Sequence, residues 1–109
     1  MSELALAVVG IDKEPGRESH LLKVMDRVTE NPELPVECYL QLEPENPYDP
    51  EAIAAYLEGT KVGYIAKSWH SLIKMKMPSL YSQPVTAASI YSWGRSIKGK
   101  LYLEVLVHD

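Results

Sequence analysis

The sequence predicts a small, mainly β domain, with six short strands and two short helices forming a compact barrel or sandwich. Three observations carry this prediction. Apolar and polar residues alternate over several runs of roughly four to eight residues, and turn-forming residues separate those runs at short intervals. Only two segments have helical spacing, too few to supply the crossovers of a doubly wound sheet. The 109 residues hold no internal repeat, low-complexity tract or long linker, so residues 1–109 are read as one domain, long enough to bury a core without disulfides or a structural metal.

The elements follow in order. Leu4, Leu6 and Val8 alternate with Ala5 and Ala7 ahead of Gly10, which predicts a strand over Leu4 to Val9. After the polar stretch Asp12 to Arg17, Ser19 is positioned to cap a short helix in which Leu21, Leu22, Met25 and Val28 recur every three or four residues. Asn31-Pro32 and Pro35 end it. Val36 to Glu43 alternates cleanly, with Val36, Cys38, Leu40 and Leu42 on one face. Three prolines within Pro44 to Pro50 then forbid a ladder or helix, so that run is a loop or turn. Ala52 to Leu57 and Lys61 to Lys67 flank Glu58-Gly59-Thr60 as the arms of a hairpin. Ser68 is the expected cap of a helix through Trp69, Leu72, Ile73 and Lys76, closed by Pro78. Val85 to Trp93 and Lys100 to Val107 supply the last two strands, around Gly94 and Gly99.

Composition excludes several classes. Cys38 has no partner within the chain, so a disulfide scaffold and multi-cysteine zinc sites are ruled out, and a reducing compartment is expected. No run approaches the ~18 apolar residues of a membrane span, and Met-Ser-Glu-Leu-Ala-Leu-Ala lacks the basic start of a signal peptide. A cytoplasmic protein without a membrane partner is the expectation. The net charge of −4 argues against nucleic acid, but it conceals a division. Residues 1–60 carry 13 acids and four bases, a net of −9, while residues 61–109 carry seven bases and two acids, a net of +5. The bland reading is that the fold interleaves the two halves over one surface; the functional one is an anionic partner for one face.

Catalytic constellations are sparse. His20, His70 and His108 show no spacing that would set two metal ligands on one helix face, and Cys38 on an apolar strand face reads as a small core residue rather than a nucleophile. Glu43, Glu45, Asp49 and Glu51 could serve acid–base or hard-cation chemistry, but such loops are commonly solvated, and Asp49 before Pro50 suits a turn that bonds its own downstream backbone. The isolated glycines form no phosphate loop. No enzymatic activity, metal or cofactor is expected. The aromatic residues are more informative, because the chain has seven Tyr, two Trp and no Phe. Tyr48, Tyr64 and Trp93 fall beside polar or basic groups, the pairing that single-stranded nucleic acid sites use, although Tyr and Trp also serve at ordinary core edges.

The block Leu42-Glu43-Pro44-Glu45-Asn46-Pro47-Tyr48-Asp49-Pro50-Glu51-Ala52-Ile53, followed by Gly59 and by Val62-Gly63-Tyr64-Ile65, closely resembles the core signature of HIRAN domains. The resemblance is strongest over residues 36–67, with Val8-Val9-Gly10-Ile11 and Ser92-Trp93-Gly94 looking like the family's first strand end and late hairpin. It implies a six-stranded OB-like barrel with two helices and a non-catalytic role in binding nucleic acid, single-stranded DNA or DNA 3′ ends. HIRAN domains stand alone in bacteria and phages and are fused to remodelling-type helicases in eukaryotes, in the company of DNA repair and replication. By the same resemblance Tyr48 would stack on a terminal base, Asp49 would accept the terminal 3′-hydroxyl, Lys67 would contact phosphate, and Tyr64 would stand where a DNA-binding relative has His. Trp93 would lie near the same pocket, with Arg95 beside it as a further DNA-binding residue.

One departure bears on that reading. After Val-Val-Gly and one apolar residue, the DNA-binding relative presents an Arg and two Tyr, whereas this chain has Asp12-Lys13-Glu14, with Arg17 further on. Asp in place of Arg removes a phosphate partner and adds repulsion, and the missing aromatics remove a stacking wall. The alternative is therefore a protein-interaction or structural module whose DNA pocket has diverged.

Overall fold

The computed structural model describes residues 3–108 and shows a closed barrel of six antiparallel strands with two helices outside it. The strands are β1 (Glu3–Val9), β2 (Cys38–Leu42), β3 (Ile53–Leu57), β4 (Thr60–Ile65), β5 (Val85–Arg95) and β6 (Leu101–His108). The helices are α1 (Pro15–Glu30), between β1 and β2, and α2 (His70–Lys76), between β4 and β5. Around the barrel the order is β1-β4-β3-β2-β5-β6, with β6 returning to β1. This is the mainly β, OB-like barrel expected, and closure gives each described strand two neighbours.

Alternation does what the residues dictate. Leu4, Leu6 and Val8 from β1, Cys38 and Leu40 from β2, and Leu103, Val105 and Val107 from β6 fill the interior. The β3–β4 connection is a two-residue turn in which Glu58 (φ 49°) and Gly59 (φ 81°) both adopt left-handed backbone, the conformation of a type I′ hairpin. Glu58 is held in this unfavourable conformation by two partners. Arg27 of α1 pairs with its carboxylate, which also accepts the Glu37 N–H at 3.2 Å.

Neither helix uses the cap proposed from sequence: α1 starts before Ser19 and α2 after Ser68. α1 opens at Pro15 after an extended Glu14, and Ser19 lies inside it, its hydroxyl donating to the Gly16 carbonyl at 3.2 Å. Pro is favoured at a first helical position, where its missing N–H would be unpaired anyway. Ser68 does not cap α2; it lies within a 3₁₀ turn, Lys67–Trp69, that leads into the helix. The helix α1 packs Leu21 and Val24 on the barrel, and its His20 Nε2 meets the Leu57 carbonyl at 2.7 Å, where only a donating nitrogen fits. No described helix is long and apolar enough to cross a membrane.

Cys38 is buried in the barrel, and loss of hydration pushes its thiol up to about 12. A neutral, covered thiol is a poor nucleophile. Native protein at pH 8 is therefore expected to resist thiol reagents on a timescale in which urea-unfolded protein reacts fully, as an absorbance assay for free thiol would show.

Candidate nucleic-acid interface

The barrel has one elaborated corner, where β1 ends beside β4 and the loop 43–52 folds back over both. At its centre Val9 is paired with Tyr64 and Val8 with Ile65. The close approach depends on Gly63, because a β-carbon there would stand 2.4 Å from the Val9 carbonyl oxygen and 2.7 Å from Val8 Cγ1. Beyond Val9 the chain turns at Gly10 (φ 80°) into a 3₁₀ turn, Ile11–Lys13, which brings Lys13 back toward the corner.

Polar side chains build the loop. Asn46 Oδ1 accepts the backbone N–H groups of Tyr48 (2.8 Å) and Asp49 (3.1 Å), while Asp49 Oδ1 accepts that of Glu51 at 2.9 Å. The Ala52 N–H returns to the Asp49 carbonyl at 3.0 Å. The turn that Asp49-Pro50 suggested is thus present, and its geometry sends the Tyr48 ring into solvent with 91% of its surface exposed.

Between loop and strand lies an open cavity of about 570 Å³, lined by Tyr48, Asp49, Tyr64 and Lys67 together with Val9, Lys13, Asn46, Ala52 and Ile65. Four of the six residues expected to form the site are therefore brought together. Trp93 and Arg95 are not. Both belong to β5, three strands from β4 in either direction around the barrel. Trp93 packs against the core opposite Leu103, and Arg95 is exposed near the β5–β6 turn, donating to the Gly99 carbonyl at 2.9 Å.

The departure at Asp12-Lys13-Glu14 resolves into separate directions. Asp12 lines a different hollow, with Glu18 and Lys100, while Lys13 lines the Tyr48 cavity. Glu14 is well exposed ahead of α1 and reaches Arg17 at 3.6 Å. Arg17 in turn donates to the Gly10 carbonyl at 2.9 Å and sets its guanidinium 5.6 Å from the centre of the Tyr64 ring. Neither acid lines the cavity, and α1 supplies a cation beside its tyrosine.

The Tyr64 hydroxyl is anchored. It donates to Glu43 Oε1 at 2.8 Å and accepts from Lys61 Nζ at 3.0 Å, while Lys61 also pairs with Glu43 Oε2. Burial works against the charge on Glu43, but hydrogen bonds from Lys61, Asn46 and Tyr64, with the charge of Lys61, outweigh it and hold the carboxyl below its ordinary pKa. Burial also opposes the charge on Lys61, and its bonds to Glu43 and Tyr64 nevertheless push it up to about 12. This pair's stabilisation is present between the unfolded glutamate and lysine ranges; it fades as acid titrates Glu43 through its lowered value or alkali approaches pH 12.

On the far side of Tyr48 a smaller hollow is shared by Asp49, Glu51, Lys67 and His70. Lys74 of α2 pairs with Glu51 at 2.6 Å. Tyr81, in a 3₁₀ turn at Pro78–Ser82, packs by His70, with its hydroxyl buried and unpartnered; burial first, then the charges of Glu51 and Asp49, push it up to about 12. Glu43 and Glu51 thus pair with Lys61 and Lys74 and Asp49 Oδ1 accepts a backbone N–H group, and among the described residues no three His, Cys, Asp or Glu side chains are grouped to hold a metal ion.

Lys13, Arg17, Asn46 and Lys61 complete the corner and were not candidates from sequence, and Glu43 was considered only for acid–base or cation chemistry. Only Asn46 carried a usable signal, because Asn ahead of a proline is a turn initiator. Fold and cavity together define a small closed barrel with a lateral concave face bearing aromatic, cationic and carboxylate groups. No family model matches the chain, and neither a curated protein nor a solved structure does.

Proposed function

We propose that this protein is a HIRAN-like, non-catalytic module that binds single-stranded nucleic acid by an end, with Tyr48, Asp49, Tyr64, Lys13 and Lys67 forming the site. The observation that carries this reading is the exposure of Tyr48 at the rim of a cavity that also holds two lysines and one carboxylate. A base stacks on the ring, the lysines take backbone phosphate, and Asp49 accepts a terminal hydroxyl while repelling a phosphorylated end. Asp49 keeps one carboxylate oxygen for that purpose, because the turn uses Oδ1.

The test is fluorescence anisotropy with labelled single strands ending in a 3′-hydroxyl or a 3′-phosphate, across a salt series. Two cavity lysines predict a shallow dependence, log K falling with log salt at a slope of about −1.4. The hydroxyl end is expected to bind about tenfold better than the phosphorylated one. Asp49→Asn, which retains the turn acceptor but not the charge, should remove most of that preference. Absence of salt-sensitive binding to either strand would reject this function in favour of a protein-interaction role for the barrel.

A further inference from the structure

The two walls of the cavity come from different parts of the chain, the Tyr48–Asp49 loop on one side and Tyr64 of β4 on the other. We propose that Glu43 is the positioning residue that joins them, fixing the separation of the two tyrosines; this rests on the nucleic-acid reading only for what the cavity binds. Glu43 Oε1 accepts from Asn46 Nδ2 at 3.0 Å and from the Tyr64 hydroxyl at 2.8 Å, so one oxygen touches both walls. Asn46 then passes the constraint through its Oδ1 to the backbone N–H groups of Tyr48 and Asp49. The other oxygen is held by Lys61, which also bonds the Tyr64 hydroxyl.

The chemistry suits a positioning role better than a stabilising one. The Glu43 side chain is only 19% exposed, and a largely covered ion pair spends most of its attraction on lost hydration, so its net effect on stability is small while its geometry is strict. Three donors converge on two carboxylate oxygens. A glutamine can serve the oxygen between the walls but presents an N–H group to Lys61, and a leucine can serve neither.

The experiment has one arm without ligand and one with it. In the first, amide hydrogen exchange at Tyr48 and Asp49 is followed by NMR in the full chain and in Tyr64→Phe, Glu43→Gln and Glu43→Leu. Tyr64→Phe changes only the opposite wall, yet should speed exchange at both amides about threefold; Glu43→Leu should speed it about tenfold and Glu43→Gln less, with strand amides unchanged. In the second, a labelled thymidine oligonucleotide with a free 3′-hydroxyl should bind Glu43→Leu about tenfold more weakly, with part of the loss recovered in Glu43→Gln. Unchanged exchange at Tyr48 and Asp49 in both Tyr64→Phe and Glu43→Leu overturns the proposal, as does full-affinity binding by Glu43→Leu. If exchange responds as expected but the unaltered protein binds no oligonucleotide, the positioning role stands and the nucleic-acid reading falls.

Discussion

Gly63→Ala is expected to destabilise the protein by about 3 kcal/mol and to lower its thermal midpoint by about 10–20 °C, as followed by circular dichroism. The added carbon would lie 2.4 Å from the Val9 carbonyl oxygen, a backbone atom that cannot rotate away. The seam is also the barrel's weakest point. β1 and β4 share two registered pairs, Val8 with Ile65 and Val9 with Tyr64, against six between β1 and β6. Forcing them apart opens the barrel beneath the cavity, so ligand binding should fall with stability. Trimming the neighbour does not rescue it: Val8→Ala removes the Cγ1 contact at 2.7 Å but leaves the carbonyl clash and vacates a core position. Gly16→Ala is the contrasting case, since nothing lies within 4 Å of a β-carbon there and α1 already runs through it, so it should be neutral or stabilising by up to about 1 kcal/mol.

The same glycine shows what was legible in the sequence. Val62-Gly63-Tyr64 stood out as a motif, and period-two alternation placed β1, β2 and β6, because one buried face leaves the register little freedom, while the turn at Glu58-Gly59 placed β3 and β4. What the glycine is for was not legible, because the Val9 carbonyl it accommodates lies 54 residues away in the chain. The start of α1 was misplaced for a local reason. Pro15-Gly16 reads as a turn, and only packing of Leu21 and Val24 on the barrel makes it a first helical turn instead. At the site, Tyr48, Asp49, Tyr64 and Lys67 came within one contiguous stretch whose two ends are joined by a hairpin, so sequence proximity carried over into space. Trp93 and Arg95 had no such tether, and barrel closure carried them to the opposite side. Lys13 faces the cavity and Asp12 a different hollow because a 3₁₀ turn points successive side chains in different directions, which net charge over a segment does not register.

Tyr48→Ala separates binding from folding more sharply than any other substitution at this corner. The ring is 91% exposed, and the bond that places residue 48 runs to its backbone N–H, which alanine retains, so stability should change by less than about 0.5 kcal/mol. If a base stacks there, affinity for single-stranded DNA should fall by about 1–3 kcal/mol, roughly fivefold to 150-fold, while Tyr48→Trp keeps or improves it. Trp93→Ala should do the reverse, lowering the thermal midpoint through lost packing and leaving affinity unchanged, since the ring lies against the core and away from the cavity. Tyr64→Ala should lose on both counts, because its hydroxyl is tied to Glu43 and Lys61 and its ring lines the cavity. Measuring affinity and urea midpoint together for these variants therefore locates the interface without a structure of the complex. A binding loss at Trp93 with none at Tyr48 would move the interface to β5 and remove the carboxylate and lysine roles assigned to the loop corner.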